Sequence, residues 1–289
     1  MDKIKPMLFK FKNRSLVCDG RTYIVGIVNV TPDSFSDGSR YLSSSSAVEH
    51  CIELLDSGAD IIDIGGESTR PGAESVGAEE EIRRILPVIC ELRKLREDAV
   101  ISVDTMKSEV AEKALSAGAD IVNDVSALRN SPDMADVIAK HDAGVILMHM
   151  RGSPKTMQSD LNYRDLVVEI NSFLADAIGR AVKSGINIGN TVVDPGIGFG
   201  KSPEQNVRII SEIEKFRETG RPLLAGPSRK AFIGNMLGGV PASERIWGTA
   251  GAVAYLAMKK TDFIRVHDVK EMSQMLRILN AMEKGQFRV

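Results

Sequence analysis

The sequence predicts a single (β/α)8 TIM barrel, an α/β fold, and two observations carry this prediction. Eight short runs rich in Val and Ile recur through the 289 residues, each followed by a longer segment with apolar residues at helical spacing. These runs are almost continuously apolar, as expected for parallel strands that helices cover on both faces. An open doubly wound sheet is the alternative, because a count of strands does not show whether the sheet closes.

The eight runs are the predicted strands, and several of the segments between them end in helix stop signals. In chain order the strands are Tyr23–Val30, Asp60–Ile64, Val100–Asp104, Asp120–Val125, Gly144–His149, Thr191–Asp194, Pro222–Gly226 and Phe263–His267. Four segments are predicted helices because each ends two residues before a glycine, the residue favoured in the left-handed conformation after a helix. These helices are Ser46–Asp56, Lys107–Ser116, Arg164–Lys183 and Glu204–Glu218.

The organisation along the chain indicates one domain with a short extension. The stretch Ser57–Asp63 recurs almost unchanged as Ala117–Asn123, which indicates one structural unit used twice. No Pro/Ser-rich linker divides the chain, so residues 23–289 are predicted to form the barrel. Residues 1–22 are the N-terminal extension, in which Leu8–Cys18 is a candidate hairpin that plugs the barrel bottom.

Composition excludes several classes of protein. With 37 Lys and Arg against 39 Asp and Glu, the formal net charge is −2, which argues against a dedicated nucleic-acid binder. No apolar run approaches the ~18 residues that would span a bilayer. The start of the sequence lacks the apolar core of a signal peptide, and the three cysteines fall in no metal-binding spacing. We therefore expect a cytoplasmic protein without a membrane or nucleic-acid partner.

Polar residues stand at or just beyond the carboxyl ends of the predicted strands. A single polar residue at such a position is explained equally well by a role as a helix N-cap. A whole series of them is harder to explain in that way. In a barrel these ends open on one rim, so the side chains are expected to converge on one pocket. They are Asn29, Asp63, Glu67, Asp104, Asn123, Asp124, His149, Asp194, Ser228, Arg229, Lys230, Arg265 and His267.

Three loops and one helix add to this picture. Residues 31–38 and 65–72 are either ordinary surface loops or lids over a substrate, and Phe35 and Arg70 favour lids. The glycines of residues 194–202 fall as G-x-G-x-G, which is not a phosphate-binding fingerprint and instead favours close approach of the backbone to a flat ligand beside Phe199. Residues 246–258 are apolar nearly all round a helix, which fits packing on the barrel or a subunit interface.

These motifs resemble those of the dihydropteroate synthases, the folate-pathway members of the pterin-binding barrel family. The resemblance covers most of the chain, in the family's order, and the first two loops are highly specific. The matching segments are Asn29–Gly38, Asp63–Gly72, Ser102–Thr105, Asn123–Val125, Met148–Gly152, Asp194–Lys201, Ser228–Lys230 and Arg265–Asp268.

The resemblance implies a transferase that joins 4-aminobenzoate to 6-hydroxymethyl-7,8-dihydropterin diphosphate, giving 7,8-dihydropteroate and diphosphate, and that sulfonamides target. It implies a dissociative substitution under two mobile loops, Mg²⁺ as cofactor with Asn29 as its ligand, and a homodimer through residues 246–258. The implied pterin site is Asp104, Asn123, Met148, Asp194, Phe199, Lys230 and Arg265. The implied aminobenzoate site is Phe35, Thr69, Pro71, Phe199 and Ser228. The implied diphosphate site is Asn29, Arg70, Arg265 and His267. The residues implied in catalysis are Asp33, Phe35, Asp104, Lys230 and Arg265.

Three other functions are weighed against this one. A methyltetrahydrofolate-dependent corrinoid methyltransferase would keep the pterin residues but has no use for Arg70, His267 or the first loop. A non-catalytic pterin-binding paralogue would have lost part of a catalytic loop, whereas all expected groups are present. An unrelated phosphate-binding barrel such as an aldolase would need a catalytic Lys within a strand, and Lys230 is instead predicted in a loop or at a helix start.

Overall fold

The computed structural model describes residues 6–31, 40–68 and 75–285, with residues 40–43 described by their backbone. Within these ranges, eight strands form one parallel sheet in the order β8-β7-β6-β5-β4-β3-β10-β9. A parallel bridge between Val193 and Leu223 joins β8 to the chain just before β9 and closes the sheet into a barrel. The strands are β3 (Tyr23–Asn29), β4 (Ile61–Gly65), β5 (Ile101–Asp104), β6 (Ile121–Asp124), β7 (Gly144–Met148), β8 (Thr191–Asp194), β9 (Leu224–Ala225) and β10 (Phe263–Val266).

All eight predicted strands are present, which confirms the (β/α)8 barrel over the open sheet. Their boundaries differ from the prediction by one or two residues at most ends. Val, Ile and Leu side chains on the outer face of the strands pack against the surrounding helices, and a second set fills the inside of the barrel. The fold therefore has the two apolar layers that a parallel barrel requires.

Helices surround the barrel and lead the chain from strand to strand. The described helices are α1 (Arg40–Asp56), α2 (Ala78–Leu95), α3 (Ser108–Ser116), α4 (Met134–Lys140), α5 (Leu166–Lys183), α6 (Pro203–Ser211), α7 (Ala231–Met236), α8 (Ile246–Met258) and α9 (Val269–Lys284). The four predicted stop glycines, Gly58, Gly118, Gly185 and Gly220, all have positive φ, between +68° and +112°. This conformation confirms their role in ending helices. None of the helices in the described ranges is long and apolar enough to cross a membrane.

Two predicted helices differ from the structure by more than the one or two residues by which α3 and α5 differ at their starts. The α1 helix begins at Arg40, earlier than the predicted start at Ser46. The serines before Ser46 are helical here, although serine is a residue type that favours caps and turns. The predicted helix Glu204–Glu218 is divided into α6 and a 3-10 helix, Ile213–Thr219. Ile213 and Phe216 are both buried there, and three-residue spacing places two such side chains on one face of a 3-10 helix.

An antiparallel hairpin closes the bottom of the barrel, as predicted. Its strands are β1 (Met7–Phe11) and β2 (Arg14–Cys18). The Phe9 ring lies edge-on to Phe263 of β10 with centroids 5.7 Å apart, and Phe263 stacks on Tyr23 of β3 at 5.4 Å. Gly144 at the start of β7 makes room for Phe9, because a Cβ there would lie 2.6 Å from the ring. The carboxyl ends of the strands are thus left as the open end.

Candidate active site

A buried cluster of charged side chains lies inside the open end of the barrel. The guanidinium of Arg265 donates from Nε to Asp63 Oδ2 at 2.6 Å and from Nη2 to Asp104 Oδ2 at 2.7 Å. The amide of Asn123 donates to the same oxygen of Asp63 at 2.9 Å. We call these four residues the carboxylate–arginine cluster. One arginine therefore links strands on both sides of β3, while the amide adds a contact from β6.

The register of the strands explains why these side chains meet. Arg265, Val25 and Ile61 form one row across β10, β3 and β4. Asp63 lies two residues nearer the mouth than Ile61 and on the same face of its strand, because side chains alternate along a strand. Asp104 pairs with Gly65, a further step toward the mouth. The Arg265 side chain thus reaches upward to both carboxylates.

Burial and charge set the electrostatics of the cluster. Burial raises the pKa of Asp104 to about 7, against the opposing effect of Arg265 and with reinforcement from Asp63. For Arg265, burial favours loss of the proton, but Asp63 and Asp104 outweigh it and raise its pKa. Oδ1 of Asp63 and Oδ1 of Asp104 are buried with no hydrogen-bond donor near them in the described part of the chain. Such acceptors fit a ligand that presents N–H groups.

A third carboxylate, Asp194, ends β8 beside Met148 of β7. Its Oδ1 accepts a hydrogen bond from the backbone N–H of Gly196 at 2.7 Å. Burial raises the pKa of Asp194 to about 6, against the Gly196 N–H group and the positive charges of Lys201, Lys230 and Arg265. Asp194 is therefore an ionised acceptor near neutral pH, surrounded by cations.

The wall of the site combines apolar side chains with one cation. The ammonium of Lys230, at the start of α7, lies 4.1 Å from the centroid of the Phe199 ring. This position at a helix start confirms the prediction that Lys230 is not within a strand. Met148 belongs to a buried apolar cluster at the mouth with Val125, Met150, Met157 and the partly buried Phe199 and Met106. A flat ring could lie between such groups and the carboxylates.

Ser228 and His267 are in direct contact. The backbone N–H of His267 donates to Ser228 Oγ at 3.2 Å, and Ser228 Oγ lies 3.0 Å from His267 Nδ1. The serine hydrogen is therefore available to Nδ1. Burial lowers the pKa of His267 to about 3, helped by Arg265 and Arg229. With the Ser228 hydroxyl assigned as the donor to Nδ1, the neutral imidazole carries its proton on Nε2, where it can serve as a donor.

The glycines after Asp194 make close contacts with the protein itself. Gly196, Gly198 and Gly200 have φ values of +71°, +85° and +69°. A Cβ on Gly196 would lie 1.9 Å from the carbonyl oxygen of His149, and one on Gly198 would lie 2.9 Å from the Lys230 side chain. Internal packing alone thus requires glycine at these positions, and their predicted approach to a flat ligand stays a prediction.

The expectation that all polar strand ends face one pocket holds for only part of them. Asp124 accepts hydrogen bonds from Ser126 and Leu128 in the turn after β6. Glu67 pairs with Lys107, which also binds Glu81. Arg229 pairs with Asp268, and His149 contacts Lys201. Alternation along a strand explains the position of Asp124, because its neighbour Asn123 faces the barrel interior and Asp124 does not.

The family resemblance implies no role for two residues that the structure places at this end of the barrel. Asp63 has no implied role beyond its place at a strand end, although a carboxylate inside an apolar strand is itself a signal. Lys201 has no visible signal except its place after three glycines. Asn29 ends β3 and is half-buried. Asp33, Phe35, Thr69, Arg70 and Pro71 lie outside the described residues.

Comparison with known proteins agrees with this geometry. Residues 25–267 match the family described as pterin binding enzyme, the class of protein that this barrel and its mouth define. The chain is 44% identical over 262 residues to dihydropteroate synthase of Synechocystis, covering 91% of this chain and 90% of that protein. The chain belongs to the dihydropteroate synthases, the transferases of folate synthesis.

Solved structures support the same assignment. Dihydropteroate synthase of Xanthomonas albilineans, determined with 4-aminobenzoic acid, is 41% identical with a TM-score of 0.89, and the match covers 96% of this chain and 99% of that one. Dihydropteroate synthase of Yersinia pestis, determined in complex with a sulfonamide drug, is 40% identical with a TM-score of 0.89, over 96% of this chain and 100% of that one.

Proposed function

We propose that this chain condenses 6-hydroxymethyl-7,8-dihydropterin diphosphate with 4-aminobenzoate to form 7,8-dihydropteroate and diphosphate. The observation that carries the proposal is the set of buried carboxylates at the barrel mouth. A pterin presents an amino group and a ring N–H on one edge, and a carboxylate accepts such paired donors. The relatives' names and the 4-aminobenzoic acid bound by the Xanthomonas protein support the choice of substrates.

The pterin is assigned to the space between Asp194 and the carboxylate–arginine cluster. Asp194 accepts from the donor edge, and Asn123 and Asp104 face the ring from the other side. Met148 and Phe199 bound the pocket, while Lys230 contacts the ring from the rim. Arg265 lies against the ring face, since a planar guanidinium can stack where an ammonium cannot.

The chemical step is assigned dissociative character. The bond between the pterin methylene carbon and the diphosphate oxygen breaks, and its electron pair leaves with the diphosphate. The arylamine lone pair then forms the C–N bond, and the amine proton passes to solvent or diphosphate. Asp104, with Asp63 beside it, stabilises the cation electrostatically. No described group needs to act as a strong base, which fits a site built from carboxylates and cations.

Diphosphate is assigned to Asn29, Arg70, Arg265 and His267. The Nε2–H of neutral His267 and the guanidinium of Arg265 would donate to its oxygens. Mg²⁺ is the cofactor that the resemblance implies. Among the described residues, no group of three His, Cys, Asp or Glu side chains could hold a metal.

A single amide oxygen nevertheless fits Mg²⁺ in this setting. The ion usually keeps several waters and takes few protein ligands together with phosphate oxygens of the substrate. Asn29, half-buried at the end of β3, would provide that ligand. When bound, the ion would neutralise charge on the leaving diphosphate. The rest of the stabilisation comes from Arg265 and His267.

The aminobenzoate is assigned to a pocket that the two long loops complete. Phe199 and Ser228 would bound it from the barrel, and Phe35, Thr69 and Pro71 from the loops. A hydrogen bond joins the two sides of the second loop at its base, since the backbone N–H of Val76 donates to Glu67 Oε1 at 3.1 Å. We propose that these loops close over the substrates and keep water from the cation. A sulfonamide is proposed to occupy the same pocket, and the Yersinia protein was determined in complex with such a drug.

A homodimer through α8 is also proposed. One face of α8 is buried on the barrel, yet Trp247 is 82% exposed and Met258 is 52% exposed. Met236, at the end of α7, adds another exposed apolar side chain. A second copy of the chain would cover this surface. Sedimentation analysis should show a dimer that Trp247→Glu converts to monomer, while a wild-type monomer would refute the proposal.

The cytoplasm is the proposed location of the protein, and its free cysteines fit that reducing compartment.

The test of the proposed function is release of diphosphate. It should require both the pterin diphosphate and 4-aminobenzoate, and mass spectrometry should identify dihydropteroate in equal amount. Release without aminobenzoate would indicate a hydrolase. Pterin binding without any release would favour the non-catalytic paralogue.

A further inference from the structure

Lys201 is a buried cation with four acceptors around its ammonium group. The side chain is 3% exposed. Its Nζ lies 2.8 Å from His149 Nδ1, 2.8 Å from the carbonyl oxygen of Gly196, 3.0 Å from that of Phe199 and 3.2 Å from that of His149. An ammonium has three N–H donors, so this set satisfies every one of them. No surface or solvent function explains a lysine held in this way.

One end of this arrangement determines the position of Asp194. The carbonyl of Gly196 accepts from Lys201, while its N–H donates to Asp194 Oδ1 at 2.7 Å. Gly196 also packs so tightly on His149 that a Cβ would lie 1.9 Å from the carbonyl oxygen. Gly196 is therefore held on three sides, and the carboxylate of Asp194 is fixed through it.

The other end determines the position of Phe199. Its carbonyl accepts from Lys201, and its N–H donates to the carbonyl of Gly196 at 3.1 Å. The Phe199 ring lies under the ammonium of Lys230. The same buried cation thus fixes both an acceptor and an aromatic wall of the pterin site.

We propose that Lys201 is a positioning residue, which holds the Asp194 carboxylate and the Phe199 ring in the arrangement that binds the pterin. The inference rests on the proposed function, since it assigns Lys201 to the same site. Lys201 itself does not contact the substrate; it acts through Gly196 and Phe199.

Burial lowers the pKa of Lys201 well below its ordinary value, whereas Asp194 opposes this effect. The four acceptors around Nζ favour the protonated form, and its charge gives this role a signature that simple packing lacks. Three cations face Asp194: Lys201 from its own loop, Lys230 from α7 and Arg265 from β10. Each opposes the effect of burial, which raises the pKa of Asp194 to about 6. His149 is neutral, because burial and the neighbouring cations lower its pKa to about 2. Loss of the Lys201 charge should therefore raise the pKa of Asp194 further. As pH falls, Asp194 would then become protonated sooner, so the midpoint for the loss of pterin binding should move to a higher pH.

The experiment compares Lys201→Met with a control variant at Tyr163, which lies between β7 and α5 and contacts the loop of Lys201 from outside it. Tyr163→Phe removes the hydrogen bond from Tyr163 Oη to the carbonyl of Gly200, 2.9 Å long, but touches neither Gly196 nor Phe199. Affinity for 6-hydroxymethylpterin is measured by calorimetry between about pH 5 and pH 8, with thermal denaturation of each variant. Lys201→Met should weaken binding at least about tenfold and move the acid midpoint upward, whereas Tyr163→Phe should change affinity less than about threefold.

A second variant covers a failure of Lys201→Met to fold. Lys201→Gln keeps two N–H donors for the carbonyls but lacks the charge, so it should show the same upward shift of the midpoint. An unchanged affinity and midpoint in the folded variant would overturn the inference. So would equal losses in Lys201→Gln and Tyr163→Phe with no movement of the midpoint. A wild-type protein without pterin affinity would instead overturn the proposed function itself.

Discussion

Asp104 should make the protein less stable at neutral pH, and Asp104→Asn should remove that cost. The ordinary pKa of the carboxyl is 3.8, and burial raises it in the folded protein to about 7. A raised folded pKa means that the folded state holds the proton more tightly than the unfolded chain. The stabilisation is present in full below pH 3.8 and is lost as pH rises through about 7. At neutral pH the folded protein thus carries a charge that its surroundings disfavour.

The magnitude follows from the span of pH over which the cost develops. Between pH 5 and the folded pKa near 7 there are two pH units, each worth about 1.36 kcal/mol. The cost that Asp104 adds over this span is therefore at most about 3 kcal/mol. The bond from Arg265 is kept in Asp104→Asn, since an amide oxygen also accepts, although without the charge it is weaker.

Other buried groups change stability over the same range, so the measurement must be a difference. His149 and His267 have folded pKa values lowered to about 2 and 3 from an ordinary 6.5. Their contribution is present above pH 6.5 and is lost as pH falls toward those folded values, opposite in sign to that of Asp104. Asp104→Asn leaves both histidines in place, and subtraction of the wild-type values cancels them.

The assay is urea unfolding of wild type and Asp104→Asn at pH 5 and pH 8. Relative to wild type, the free energy of unfolding of the variant should be higher at pH 8 than at pH 5, by up to about 3 kcal/mol. Asp136→Asn, at an exposed position of α4, is the control and should show the same difference at both pH values. If the free energy of unfolding changes equally with pH in the variant and in wild type, ionisation of buried Asp104 does not destabilise the folded protein.

Three further predictions concern the ligands. Asp194→Asn replaces an acceptor by a donor and should weaken pterin binding by about two decades without unfolding the barrel, as calorimetry and thermal denaturation can check; unchanged affinity would exclude Asp194 as the acceptor. Asn29→Ala, or removal of Mg²⁺, should weaken the diphosphate-bearing pterin much more than the free hydroxymethylpterin, whereas equal losses would make Asn29 a structural residue. Aminobenzoate should bind tightly only when pterin and diphosphate are present, and Phe35→Ala or Arg70→Ala should reduce that coupling; equal affinity in equilibrium titrations with and without diphosphate would contradict the ordered mechanism.

The fold could be predicted because its signals are local. Continuous Val and Ile runs identify the strands of a parallel sheet, and Gly58, Gly118, Gly185 and Gly220 mark helix ends by a conformation that other residues avoid. The break after α6 could not be predicted, because it depends on where Ile213 and Phe216 meet the barrel. Packing, rather than the sequence pattern nearby, decides the helix type there.

The sequence predicts where the site lies in the fold, but it does not predict which of its side chains contact one another. Strand ends must gather at one rim, so Asp104, Asn123, Asp194 and Arg265 could be placed near one another from the sequence. Arg265 is 202 residues from Asp63 along the chain, and only the register and closure of the sheet bring the two together. The inward direction of Asn123 and the outward direction of Asp124 likewise depend on exact strand register.

The hairpin at the barrel bottom has a consequence for how the chain can fold. The ribosome makes Phe9 long before Phe263 of β10, on which the ring of Phe9 packs. The floor of the barrel is therefore incomplete until both β1 and β10 are present. A nascent chain that lacks β10 would leave Phe9 and Tyr23 without the ring of Phe263. Such distant contacts favour slow, late closure of the barrel, so the opening strands and the last strand should become protected from hydrogen exchange together.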